Sequence, residues 1–188
     1  ESDAADKWGY ELTPTPGAAN AGGISSTILP EVIFSQPGFV WNNSSKRIAV
    51  ELSLPEGAPE GTIIRYTTDG SEPTLYNGTE YTSEIGFRTT TILRAKAFCD
   101  GCISIPSAAH SYIQLGREQK IPLISIITDD RYLNDSKIGI FYNNPDKEEE
   151  EKNYFQDWRR PINVEFFTPE GAEAEFNQLA EMRIQGGY

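Results

Sequence analysis

The sequence predicts a mostly β protein whose centre is an antiparallel β-sandwich of roughly 85 residues. Three observations carry this. Short runs alternate apolar with polar residues from Glu31 to Leu115, the clusters PEGAPEG, DGSEPT and CDGC punctuate them, and no helical periodicity lies between. Strands with two unlike faces, joined by tight turns, bury one face each against a second sheet.

The elements follow in order. Residues 1–27 are rich in Pro, Gly, Ala and Thr and read as a linker or the tail of an upstream unit. EVIFS, KRIAVELSL, TIIRYTTD, TILRAKAFC and SAAHSYIQL are the strands of the sandwich, residues 28–115. In TILRAKAF, Leu93, Ala95 and Ala97 are expected to face inward, with Arg94 and Lys96 toward solvent. TIIRYTTD stops at Asp69-Gly70, because Gly accepts positive φ and Asp bonds its own following backbone. Pro73 cannot donate to a ladder and keeps the next segment out of mid-sheet. After Gly116 the texture changes: IPLISIIT reads as a strand buried on both faces, and PINVEFFTPEG and LAEMRIQGGY as two further strands. Between them, NNPDKEEEEKNYFQDW is a charged insertion whose Glu148–Glu151 run is a solvated loop or helix face.

Composition narrows the function. A 188-residue chain that is 38% hydrophobic and 11% aromatic can bury a core. Sixteen Lys and Arg against 28 Asp and Glu give a net charge of −12, which offers no attraction to a nucleic-acid backbone. No apolar run approaches the roughly 20 residues of a membrane helix. The chain starts ESDAAD with Met182 as its one methionine, so the first residue is not expected to be a translation start.

Cys99 and Cys102 flank Asp-Gly in FCDGCIS. Strand-like sequence on both sides places them at a hairpin tip, where a local disulfide is favoured over two free thiols. A redox pair would need to open a helix, and zinc would need two more ligands, of which the lone His110 supplies one at most. Trp41, Tyr76 and Tyr81, near turns, are candidates for stacking on a sugar ring, with core or turn packing as the commoner role of such rings. Asparagines 42, 43, 77 and 134 head Asn-x-Ser/Thr triplets, which would mark surface loops in a eukaryotic secreted protein and are read here as chance.

Two longer stretches carry resemblances. IIRYTTDGSEPTLYNGTEYTSEIGFRTTTILRAKAF resembles the chitobiase/β-hexosaminidase carboxy-terminal-type domain, an immunoglobulin-like sandwich found beside other domains in exported bacterial proteins. That resemblance implies that Asp69, Gly70, Pro73 and Thr74 are structural markers of its turn, and a single carboxylate there has no second group for acid–base work. IPLISIITDDRYLNDSKIGIFYNN, WRRPINVEFFTPEG and MRIQGG together resemble the opening of a spore-coat-protein-H (CotH) kinase-like domain, a family of atypical protein kinases. It implies a partial α+β segment over residues 116–188, with Arg183, Gly186 and Gly187 matching an Arg-x-x-Gly-Gly portion where backbone amides could approach a phosphate. An ordinary turn is the alternative for the glycines. WGYELTPTPGAANAGG is similar to the exit of a lamin-tail-type domain at Thr15, Pro16, Gly17 and Asn20.

These resemblances imply an interior piece of a longer secreted or surface-exposed bacterial protein. The first functional reading is a non-catalytic spacer that positions a kinase-like domain, its partners being neighbouring domains of the same polypeptide. The second is an accessory module that binds a glycan. The third is phosphoryl transfer by a longer parent, with ATP and a divalent metal as cofactors there and no cofactor or catalytic group in this chain. Asp129, Asp130 and Asp135 tempt a metal assignment, but in the family pattern they sit in an early connecting segment and are expected to be structural or solvated.

Overall fold

The fold was analysed in a computed structural model, which describes residues 10–11 and 24–185. Eleven strands precede Gly116: β1 (Tyr10–Glu11), β2 (Ile24–Ser25), β3 (Ile33–Phe34), β4 (Phe39–Trp41), β5 (Ile48–Val50), β6 (Leu52–Ser53), β7 (Ile63–Thr67), β8 (Thr79–Glu80), β9 (Ile85–Phe87), β10 (Thr91–Phe98) and β11 (Ala108–Gln114). One sheet has the order β4-β11-β10-β7-β8, antiparallel except where β4 runs parallel to β11. Facing it are the antiparallel pairs β3-β6 and β5-β9, and β1 pairs with β2.

The core lies between these layers, as alternation requires. Leu93, Ala95 and Ala97 of β10 are buried with Tyr112 of β11, Ile64 of β7, and Ile48, Val50, Leu52 and Ile85 opposite. Phe39, Trp41, Phe87 and Tyr112 form a ring cluster with centroids 5.1–6.5 Å apart. The chain is therefore mostly β, with sheets consistent with an immunoglobulin-like sandwich. One expectation fails: Arg94 and Lys96 are largely covered, because the loop after β7 folds back over them.

Residues after Gly116 form a second antiparallel sheet, β12 (Leu123–Ile127), β13 (Arg160–Phe167) and β14 (Phe176–Met182), in the order β12-β13-β14. The expected α+β character is not found. One α-helix is described, α1 (Arg131–Asn134), with two 3₁₀ turns at Glu149–Glu151 and Asn153–Phe155, and among the described residues no helix is long and apolar enough to cross a membrane. The acidic run gives Glu149–Glu151 no buried residue, as adjacent like charges demand, while Asn153, two residues on, is buried and donates to the Ser136 and Gly139 carbonyls.

The register sorts this sheet into unlike faces. Ser125, Glu165 and Asn177 lie side by side on one, with Ile127 and Asn163 beside them. Ile124, Phe166 and Phe176 line up on the other, followed by Ile126 and Val164. The polar face meets the sandwich. The apolar face is open at Ile124 (62% exposed) and Ile126 (55%), though Ile162 at its other end is buried, so IPLISIIT is not buried on both faces.

Candidate functional site

The turn after β7 is built by its own side chains. Gly70 sits at φ 84°, a conformation that costs a side-chain-bearing residue a Cβ clash. The Asp69 carboxylate accepts from Ser71 N–H at 3.0 Å and Ser71 Oγ–H at 2.6 Å, and those bonds, the side-chain one first, hold it below the usual aspartate pKa. Pro73 is buried, and the Thr74 hydroxyl accepts the amides of Tyr76 (3.1 Å) and Asn77 (2.9 Å). This stiff loop aims Glu72 at β10: its carboxylate bonds Arg94, Lys96 at 3.3 Å and Ser107 Oγ at 2.8 Å, while Arg94 also reaches the Gly70 carbonyl at 3.0 Å.

The same loop also reaches the second sheet. Glu72 N–H donates to Asp129 Oδ2 at 2.9 Å, just beyond β12. Burial works against the Asp129 charge, but the Arg131 side chain, then Glu72 N–H and Arg131 N–H, outweigh it and keep its pKa below the ordinary value.

A second junction is deeper. Glu165 of β13 is 0% exposed and crosses to the sandwich, where Oε2 accepts Ser111 N–H at 2.6 Å and Oε1 lies 2.9 Å from His110 Nδ1 and accepts Asn177 Nδ2–H at 2.9 Å. Gly38 N–H donates to His110 Nδ1 at 3.1 Å. A Cβ at Gly38 would stand 2.5 Å from Glu165 Oε1 and 2.8 Å from the Ser111 carbonyl, so glycine is required there by close approach. Burial, and after it the Glu165 charge, pushes the Tyr112 phenol well above its usual pKa. Ser111 Oγ and Ser125 Oγ share a hydrogen bond of 2.6 Å. A third junction extends the edge of β4: Val40 N–H donates to the Ala172 carbonyl at 2.8 Å and Ala174 N–H to the Gly38 carbonyl at 2.9 Å.

The family profile of the chitobiase/beta-hexosaminidase C-terminal domain matches residues 42–108. That span runs from the residue after β4 to the first residue of β11 and contains the Asp69–Thr74 loop. No curated protein and no solved structure matches the chain.

The remaining candidates do not converge. Trp41 is only 8% exposed and packs in the core, and Tyr81 is half-buried with its ring centroid 6.5 Å from that of Tyr66. Burial removes Trp41 as a stacking platform and leaves Tyr76, 97% exposed, as the one fully solvent-facing ring of the three. Cys99 and Cys102 are free thiols, so the favoured disulfide is not formed here. Their turn is closed instead by Cys102 N–H to the Cys99 carbonyl at 3.2 Å, with Gly101 at φ 68°. Desolvation, followed by the hydrogen bond with Cys99, raises the Cys102 pKa, the opposite of an activated thiol.

The early carboxylates do not fit a metal. Asp129 is spent on Arg131 and Glu72, Asp130 accepts from Asn134, and Asp135 caps the amides of Lys137 and Ile138. Among the described residues no three His, Cys, Asp or Glu side chains group to hold an ion. Arg183 pairs with Asp157, while Gly186, Gly187 and the Thr15–Asn20 motif lie outside the described residues. Glu165, His110, Gly38 and Glu72 were missed from sequence as partners. Glu165 sits in PINVEFF where an alternating strand normally points to solvent, and nothing local signals otherwise.

Proposed function

We propose that this chain works as a non-catalytic positioning unit: a β-sandwich that holds the sheet beginning near residue 121 at a fixed angle within a longer secreted or surface-exposed bacterial protein. The observation that carries the reading is the Glu165 junction. A fully buried carboxylate that takes Ser111 N–H from the sandwich, while Asn177 of its own sheet holds the other oxygen, opposes a swivel of the sheets, since separation would strip it of the Ser111 donor. Asp129 and the strand-like contacts at β4 add two attachments away from it, and three separated points define an orientation.

The finer part of the proposal is that residues 116–188 open a CotH kinase-like domain, preceded by the exit of a lamin-tail-type domain in residues 1–27. The apolar outer face of β12–β14 supports it, because Ile124, Ile126 and Phe176 are the kind of surface that a further layer of such a domain would cover. Phosphoryl transfer with ATP and a divalent metal then belongs to the longer parent.

Backbone ¹⁵N relaxation of the chain tests the positioning role. Amides of β10 and β11 and those of β12–β14 are expected to report one rotational correlation time. Two distinct times would show a hinge near residues 116–121 and end the proposal. For the kinase reading, labelled ATP and manganese supplied to a longer form should transfer phosphate, and the 188-residue chain should not.

A further inference from the structure

Beside the Glu165 junction a cleft of about 270 Å³ opens between β11 and the β13–β14 pair. Its lining includes Glu31, Ser107, His110, Asn163, Asn177 and Leu179. The two carboxamides have orientations that chemistry decides. Asn177 Nδ2 stands 2.7 Å from the Ala109 carbonyl and 2.9 Å from Glu165 Oε1, and only an amide nitrogen satisfies two acceptors. Asn163 Nδ2 faces the same carbonyl at 3.3 Å. Both Oδ1 atoms therefore turn away from Ala109, on residues that line the cleft, and neither makes a hydrogen bond among the described residues. Asn163 is just 5% exposed, so its oxygen is an acceptor held in a nearly closed setting.

The lining has a one-sided character. It presents two carboxamide oxygens and the exposed Glu31 carboxylate, with no Lys or Arg, in a chain of net charge −12. Ser107 Oγ is already engaged by Glu72 and Arg94. Glu165 withdraws a proton bond from Asn177 and so polarises that amide, making its oxygen a better acceptor. Leu179 adds an apolar wall, and the Phe34 ring, 4.8 Å from His110 and edge-on, holds the imidazole side in place.

We propose that this cleft binds a small alkylammonium group. The three N–H donors of a primary ammonium match the two Asn oxygens and Glu31, and its methylenes lie along Leu179. A carboxylate or phosphate would meet the Glu31 charge with at most the His110 ring N–H to answer it and no Lys or Arg in the lining. An alcohol of the same length would bring one donor and no charge. The site needs the sandwich and the second sheet held together but does not depend on what the longer protein does.

A heteronuclear NMR titration of the 188-residue chain tests it, with n-butylammonium, sodium butyrate and 1-butanol as matched probes at constant ionic strength. Butylammonium alone is expected to move the side-chain NH₂ signals of Asn163 and Asn177 in a saturable way. Glu31→Gln, at an exposed position, should weaken that binding about threefold to tenfold, equivalent to about 0.7–1.4 kcal/mol. Equal responses to the three probes, no response to butylammonium, or unchanged affinity in Glu31→Gln would each overturn the assignment. If relaxation shows one body yet butylammonium fails to saturate, the cleft assignment falls and the positioning role stands; a hinge would end both, since the lining comes from both sheets.

Discussion

The two large sheets of this protein sort their side chains by opposite rules. In the five-stranded sheet, β10 sends Leu93, Ala95 and Ala97 into the core and keeps Arg94 and Lys96 on the other side. In the β12–β14 sheet the polar face is the packed one, with Ser125, Asn163 and Glu165 against β11, and the apolar face with Ile124 and Ile126 is open. The first arrangement is held by area removed from water, which is non-directional. The second also buries Ile127 and Phe167 but adds directed hydrogen bonds, which specify angle and register and contribute little net free energy when all are satisfied. A contact that must fix an orientation is better served by the second kind.

Substitutions can break or sharpen this contrast. Glu165→Ala strikes the polar seam and should cost about 3 kcal/mol, because the buried Ser111 N–H is left without its acceptor. Urea unfolding would read the loss, and hydrogen exchange should rise first at Ser111 and across β12–β14. Leu93→Ala strikes the apolar core and should cost about 3 kcal/mol. Its loss should spread over all sandwich amides and not select the seam. Equal exchange patterns in the two variants would erase the distinction between the sheets.

Gly38→Ala comes next, at about 1–3 kcal/mol, since the new Cβ must displace the Glu165 carboxylate oxygen and the Ser111 backbone carbonyl. Asp129→Asn has a smaller effect with a pH signature. The folded pKa of Asp129 is depressed, so its contribution is present above the ordinary value of 3.8 and is lost as pH falls through the lower folded value. The wild type should be the more stable above that window, and the two stability curves should converge in acid. Ile126→Thr on the open face should change stability by less than about 0.5 kcal/mol. A large loss there would show that this face is covered after all.

Much of the sandwich was legible because its rules are local. Alternation in TILRAKAF and the chemistry of Asp69-Gly70 and Pro73 depend on neighbours within a few residues, and the structure places strands and turn there. The seam was not legible for the same reason. Glu72 and Asp129 are 57 residues apart, and Ser111 and Glu165 are 54 apart. Arg94 and Lys96 show the limit within a single strand: their side of the sheet was readable, but the loop that covers them was not.

Local sequence alone determined where this chain would pleat and turn, because side-chain period and backbone preference act over one strand's length. Which face of β12–β14 would be buried was decided only when distant segments met. A carboxylate inside an alternating strand is neutral information until a backbone amide from elsewhere is brought within 2.6 Å of it. Burial penalises such a group unless a donor answers it, and the donor here comes from another sheet.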